Sequence, residues 1–106
     1  MKDYLLERVT AVEPLGEYRV RVTFSDAFSA SIDLAPLLFE GPIFQALRDE
    51  AFFKGVRVEH GVPVWSDDVD LSPGSLRAWC EAGRVLSRDE TDEWIAKHSR
   101  APEKVA

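Results

Sequence analysis

Tyr18-Arg19-Val20-Arg21-Val22-Thr23-Phe24-Ser25-Asp26-Ala27-Phe28-Ser29-Ala30-Ser31-Ile32-Asp33 decides the fold. Tyr18, Val20, Val22 and Phe24 alternate with Arg19, Arg21, Thr23 and Ser25, the period of a strand with one face buried. After a break, Phe28, Ala30 and Ile32 alternate with Ser29, Ser31 and Asp33. A two-residue turn at Asp26-Ala27 sets Phe24 against Ser29, a core side chain against a solvent one. A three-residue loop, Ser25-Asp26-Ala27, pairs Phe24 with Phe28, Val22 with Ala30 and Val20 with Ile32 on one face. The second register is the consistent one. Such a loop places its last residue, Ala27, in the left-handed region. An L-residue there costs about 1 kcal/mol, so Ala27→Gly is expected to stabilise.

Upstream, Arg8 to Glu13 has strand-like content, and Pro14-Leu15-Gly16-Glu17 reads as the turn that brings it alongside Tyr18. Three consecutive antiparallel strands follow. Downstream, Leu34-Ala35-Pro36-Leu37-Leu38 suits a short helical turn. Gly41-Pro42 opens another helix, with Ile43, Phe44 and Leu47 as its apolar stripe. Val56 and Val58 alternate with Arg57 and Glu59. His60-Gly61 then turns into Val62-Pro63-Val64-Trp65, a second hairpin in which Pro63 suggests an edge. Ser66 to Leu71 reads as a polar loop. Ser72-Pro73 starts a helix that Gly83 ends, and Ser87 with Glu90 forms the capping box of a last helix reaching about His98. The class is α+β: a three-stranded antiparallel meander, short helices, a second hairpin and C-terminal helices. Residues 1–86 are expected to form the compact domain, with 87–106 adding a helix and a loose tail from Ser99 onward.

A chain of 106 residues, 45% hydrophobic and 30% charged, has the balance of one ordinary globular domain. Its apolar runs are too short to cross a bilayer, and the start lacks the sustained apolar stretch of a signal peptide, so a cytoplasmic location is expected. Net charge −6 opposes nucleic-acid and anionic-membrane binding. Residues 1–63 hold 7 basic and 10 acidic side chains and residues 64–106 hold 6 and 9, so each part carries −3 and neither is a basic lobe.

No stretch carries a self-sufficient catalytic, metal-binding or nucleotide-binding signature, and no cofactor is implied. Asp67, Asp68 and Asp70 are the best candidates for a hard cation or a shared proton. They lack the glycine and distal glutamate of an EF-hand loop, and capping or solvating a loop is their more ordinary use. His60 falls in a turn and His98 near a helix end, with no motif linking them. Cys80, alone in the chain, reads as a small core residue. Trp65 and Trp79 lie in apolar surroundings. Trp94 and Ile95 have thin apolar support on the last helix: either that helix docks, or the pair forms an exposed anchor for a partner protein. Arg19 and Arg21, opposite Val20 and Val22, form a polar strand surface for solvent, for a partner's acidic groups, or for Glu13 and Asp33 within the molecule.

In order, Val22-Thr23-Phe24-Ser25-Asp26, Ile32-Asp33-Leu34, Phe44-Gln45-Ala46-Leu47-Arg48-Asp49, Phe53 with Val56, Val64-Trp65 and Asp70-Leu71-Ser72-Pro73 with Leu76 resemble domain-of-unknown-function family 2442. The resemblance covers roughly Val9 to Trp79. Where the family usually has Asp-Gly in the hairpin loop, this chain has Asp26-Ala27. The resemblance implies a compact α+β fold of small bacterial proteins and supplies no catalytic residue. It also implies a small partner protein encoded nearby, in pairs that look like toxin and antitoxin. Some relatives carry a helix-turn-helix domain, for which the stretch after Gly83 is too short. The expected function is a non-enzymatic protein-interaction domain, the acidic, antitoxin-like member of a pair, with Trp94, Ile95, Arg19 and Arg21 as candidate contacts. A DNA-associated regulator and a small metal-dependent or hydrolytic enzyme using Asp67, Asp68, Asp70 or His60 are the alternatives.

Overall fold

The computed structural model describes residues 4–39 and 41–98; the loose tail expected from Ser99 lies outside them. Strands β1 (Val9–Gly16), β2 (Arg19–Phe24) and β3 (Ser29–Asp33) form one antiparallel sheet in the order β1-β2-β3. The register is the one the alternation requires: Val20 faces Ile32 and Val22 faces Ala30. The Phe24 N–H donates to the Phe28 carbonyl at 2.8 Å, and Ala27 closes the loop at φ 76°. Val20, Val22, Phe24 and Ile32 are buried on the inner face, each worth roughly 1.5–3 kcal/mol of apolar transfer.

β1 is longer than its composition suggests. Pro14 lies inside it, opposite Val20 in a non-hydrogen-bonded pair, so its ring nitrogen points away from β2 and no ladder donor is lost; a register irregularity follows between Pro14 and Gly16. The turn is therefore Glu17-Tyr18 rather than Pro14 to Glu17, and both turn residues have positive φ, 53° and 65°. Tyr18 leaves the strand but keeps its inward role. Its ring meets Phe53 edge-on at 5.2 Å and its hydroxyl donates to the Arg48 carbonyl at 2.6 Å. Those contacts hold a backbone conformation that an L-residue rarely adopts.

Two 3₁₀ segments, Ala35–Phe39 and Pro42–Arg48, follow β3 and lead into α1 (Glu50–Phe53). Leu37, Leu38 and Leu47 are buried and Phe44 is half-buried; the Ile43 side chain, expected in the same stripe, lies outside what is described. Asp49 caps α1 by accepting from the amides of Ala51 and Phe52.

The second sheet has three strands where the sequence suggests two: β4 (Arg57–Glu59), β5 (Val62–Ser66) and β6 (Val69–Asp70). The supposed polar loop at 66–71 supplies β6, because Val69 and Leu71 turn inward and are buried around the exposed Asp67-Asp68 turn. Pro63 thus sits in the central strand, not at an edge. It tolerates that place because the two-residue turn at His60-Gly61 makes Val58 and Pro63 a non-hydrogen-bonded pair. Its ring nitrogen points away from β4, toward the side where its carbonyl accepts from the Leu71 amide at 3.1 Å.

α2 (Pro73–Ala82) begins at Ser72, which accepts from Ser75, and ends at Gly83 with φ 86°. Leu76, Ala78, Trp79 and Cys80 are buried among the side chains of the first sheet. Gly74 is required there: a Cβ would lie 2.5 Å from the Tyr4 carbonyl oxygen. α3 (Arg88–His98) starts on the expected capping box, with Ser87 and Glu90 bonded reciprocally at 3.0 and 3.1 Å. Among the described residues no helix is long and apolar enough to cross a membrane.

Candidate partner-binding surface

Helix α3 is docked against α2. The Trp79 indole N–H donates to the Thr91 hydroxyl at 2.9 Å, and that hydroxyl donates to the Ser87 carbonyl at 2.7 Å. Thr91 is the buried residue of α3. One turn on, the Trp94 indole N–H donates to Glu81 Oε1 at 3.1 Å, and the Trp94 ring stacks on His98 at 4.2 Å. Trp94 and Ile95 pack against the core yet remain only half-buried.

Glu81 joins α3 to a polar network centred on Arg77. Its Oε1 also accepts from the Tyr4 hydroxyl at 2.5 Å, and its Oε2 from Arg77 Nε at 2.8 Å. Arg77 Nη1 reaches Asp26 at 2.9 Å and Glu7 at 3.3 Å, and the guanidinium lies over the Phe28 ring at 4.1 Å. Its side chain is 7% exposed. Burial alone would raise the Glu81 carboxyl, but hydrogen bonds from Tyr4, Trp94 and Arg77 outweigh it and hold Glu81 below the usual carboxylate range. The network thus ties the hairpin loop, the 3₁₀ turn at Tyr4–Leu6, α2 and α3 together through paired charges and hydrogen bonds. Nothing in an isolated arginine of an apolar helix signals this. The only local hint is Glu81 four residues on, while Glu7 and Asp26 lie 70 and 51 residues away.

At about 100° per residue, Trp94 and Ile95 mark the two borders of the docked stripe. Glu90 and Lys97 lie just outward of Trp94 with Glu93 beyond them, and Asp92 lies outward of Ile95. Asp89, Asp92 and Glu93 are exposed and make no ion pair among the described residues, whereas Glu90 is engaged by the cap and by Arg84 at 3.4 Å. A shallow cleft of about 270 Å³ opens beside Trp94, lined by Leu86, Glu90, Glu93 and Lys97. A second of about 440 Å³ lies across the helix between Phe44, Leu37, Ser72, Trp79, Arg88 and Asp92.

Arg19 and Arg21 occupy the uncovered face of the first sheet. Register places Arg21 between Glu13 and Ser31 and Arg19 opposite Asp33, yet neither guanidinium is within ion-pairing distance of a carboxylate of the described residues. Both are exposed. The remaining candidates are dispersed. Asp67 and Asp68 form an exposed turn, Asp70 lies on β6, and His60 is an exposed turn residue whose carbonyl accepts from Arg8. No group of three or more His, Cys, Asp or Glu among the described residues is arranged to hold a metal ion. Burial pushes the Cys80 thiol up to about 12, far from a thiolate at neutral pH.

A family model described as "Protein of unknown function (DUF2442)" matches residues 9–82, which end at the last residue of α2. A crystal structure described as "Putative DNA Binding Protein" from Nitrosomonas europaea ATCC 19718 is 27% identical, with a TM-score of 0.66. The similarity covers 95% of this chain and 66% of that one, so this chain spans just under two thirds of its length. No curated protein matches the sequence.

Proposed function

From the premise that this chain belongs to the DUF2442 family, we propose that it is a non-enzymatic protein-interaction domain. It is the acidic, antitoxin-like member of a two-protein pair and holds a small basic partner on the outer face of α3. One observation carries the reading: Trp94 is fixed by Glu81 and His98 while part of its ring stays open, on a helix whose outer face carries the exposed carboxylates of Asp89, Asp92 and Glu93. An aromatic side chain already locked in place loses little entropy on binding, which is how interface anchors gain their energy. A net charge of −6 steers a basic protein toward the surface with a salt-dependent rate. The separation of Cys80, His60 and the aspartates fits a binding role better than a catalytic one.

The product of the adjacent reading frame, titrated into this chain, tests the proposal. Changing Trp94 and Ile95 together to Ala should weaken binding by about 2 kcal/mol, roughly thirtyfold. Because both side chains also touch the core, the exposed pair Asp92→Lys and Glu93→Lys serves as the fold-neutral variant and should slow association. Binding unchanged in both variants overturns the reading.

The description of the Nitrosomonas neighbour favours a second reading, DNA association. On this chain it would rest on Arg19 and Arg21, the exposed pair on the open sheet face. Net charge opposes it. A salt-sensitive gel shift of duplex DNA, abolished by Arg19→Ala with Arg21→Ala, would establish it; no shift at low salt removes it.

A further inference from the structure

We propose that β3 is a self-pairing edge, through which two copies of this chain join their first sheets into one continuous antiparallel sheet. The hydrogen bonds from Phe24 N–H to the Phe28 carbonyl and from Leu34 N–H to the Tyr18 carbonyl, each 2.8 Å, bracket the β2–β3 ladder. Between them the bonded pairs recur every second residue, at Val22 with Ala30 and Val20 with Ile32. Ser29, Ser31 and Asp33 therefore aim their backbone N–H and C=O groups away from β2. All three residues are exposed, and no backbone group of the described residues meets them from outside.

The two edges of this sheet are treated differently. β1 carries two register irregularities and Pro14, and its Val9 amide is used by the Gly61 carbonyl at 2.9 Å. Bulges, proline and a covering segment are the devices that prevent edge-to-edge pairing. Among the described residues β3 has neither bulge, proline nor a segment bonded along its outer side, and it has no lysine: its outward side chains are two serines and one aspartate. A twofold pairing centred on Ser31 sets Ser31 against its own copy and Ser29 against Asp33, hydroxyl to carboxylate. No like charges face each other. Arg19 and Arg21 lie one strand inward, so the edge does not share the chain's excess negative charge. The half-exposed Phe28 and Ala30 gain cover on the inner side.

A five-residue strand buries less than the roughly 1,200 Å² of a stable dimer, so the association is weak and reversible. Sedimentation velocity and amide exchange on the whole chain, from about 10 μM to about 1 mM, are the measurements. The sedimentation coefficient should rise with concentration, and the amides of Ser29, Ser31 and Asp33 should gain protection in step. Ser31→Pro deletes only an outward donor and should leave a folded monomer at the highest concentration. Ser31→Lys, which sets two ammonium groups face to face, should do the same without a backbone change. A wild-type chain that stays monomeric at about 1 mM overturns the proposal, as does self-association that persists in Ser31→Lys.

Discussion

Replacing Arg77 by Met removes the centre of the polar network while keeping most of the side-chain volume. The guanidinium is 7% exposed, and of its partners the Glu7 side chain is 10%, Glu81 21% and Asp26 48% exposed. Asp26 can turn to water and loses little. Glu81 is left as a poorly solvated carboxylate without its cation, the situation in which breaking a buried pair costs about 3–5 kcal/mol. Glu81 keeps its donors Tyr4 and Trp94, which sets the expected loss at the lower end, about 3 kcal/mol. At roughly 4 °C per kcal/mol for a domain of this size, the melting point should fall by about 12 °C. In the native protein the Glu81 pKa is depressed. Its stabilisation is therefore present above the unfolded pKa and is lost as pH falls through the folded one. Without Arg77 two of the causes that lower the Glu81 pKa are gone and the folded pKa rises, so the deficit of Arg77→Met should be largest at neutral pH and shrink as the carboxyls protonate. Urea denaturation followed by tryptophan fluorescence at neutral pH and near pH 4.5 measures both. A loss under about 1 kcal/mol, or one that is the same at both pH values, would refute the assignment of Arg77 as a buried electrostatic hub.

Thr91→Val deprives the Trp79 indole of its buried acceptor and should cost about 1–3 kcal/mol, with α3 amides exchanging faster; equal exchange would mean that other contacts dock the helix. Ala27→Gly relieves the φ of 76° and should raise stability by about 1 kcal/mol, read as a higher melting point; no gain would show that the loop carries no such strain. Gly74→Ala forces a methyl onto the Tyr4 carbonyl and should destabilise by about 1–3 kcal/mol, visible as a lowered urea midpoint. Cys80, its thiol pushed up to about 12, should resist a thiol reagent in the native protein at pH 8 and react only on unfolding. Prompt native labelling would contradict its burial.

The β2–β3 hairpin was readable because a one-residue slip would turn every valine to solvent, and Phe24 with Phe28 then fixed the loop length. The left-handed Ala27 followed from that length alone. The β1 turn was not readable, because Pro14 signals a break and only its non-hydrogen-bonded place opposite Val20 lets it stay in the strand. β6 was hidden for the same kind of reason: Val69 and Leu71 are too few to show a period, and they become a strand only when β5 lies beside them. The candidate surface was half visible. Trp94 and Ile95 could be singled out, but their docking depends on Thr91 meeting Trp79 and on Glu81, which is itself held by Tyr4 and Arg77. Contacts across such sequence distances leave no local pattern.

The central claim is that α3 is a docked, rigid face that receives a partner. Amide hydrogen exchange, run on the chain alone and with the product of the adjacent reading frame, tests it most directly. Residues 88–98 should exchange slowly in the free chain and more slowly in the mixture, while Arg19 to Phe24 stay unchanged. Fast exchange along α3 in the free chain, or added protection only on the first sheet, would contradict it.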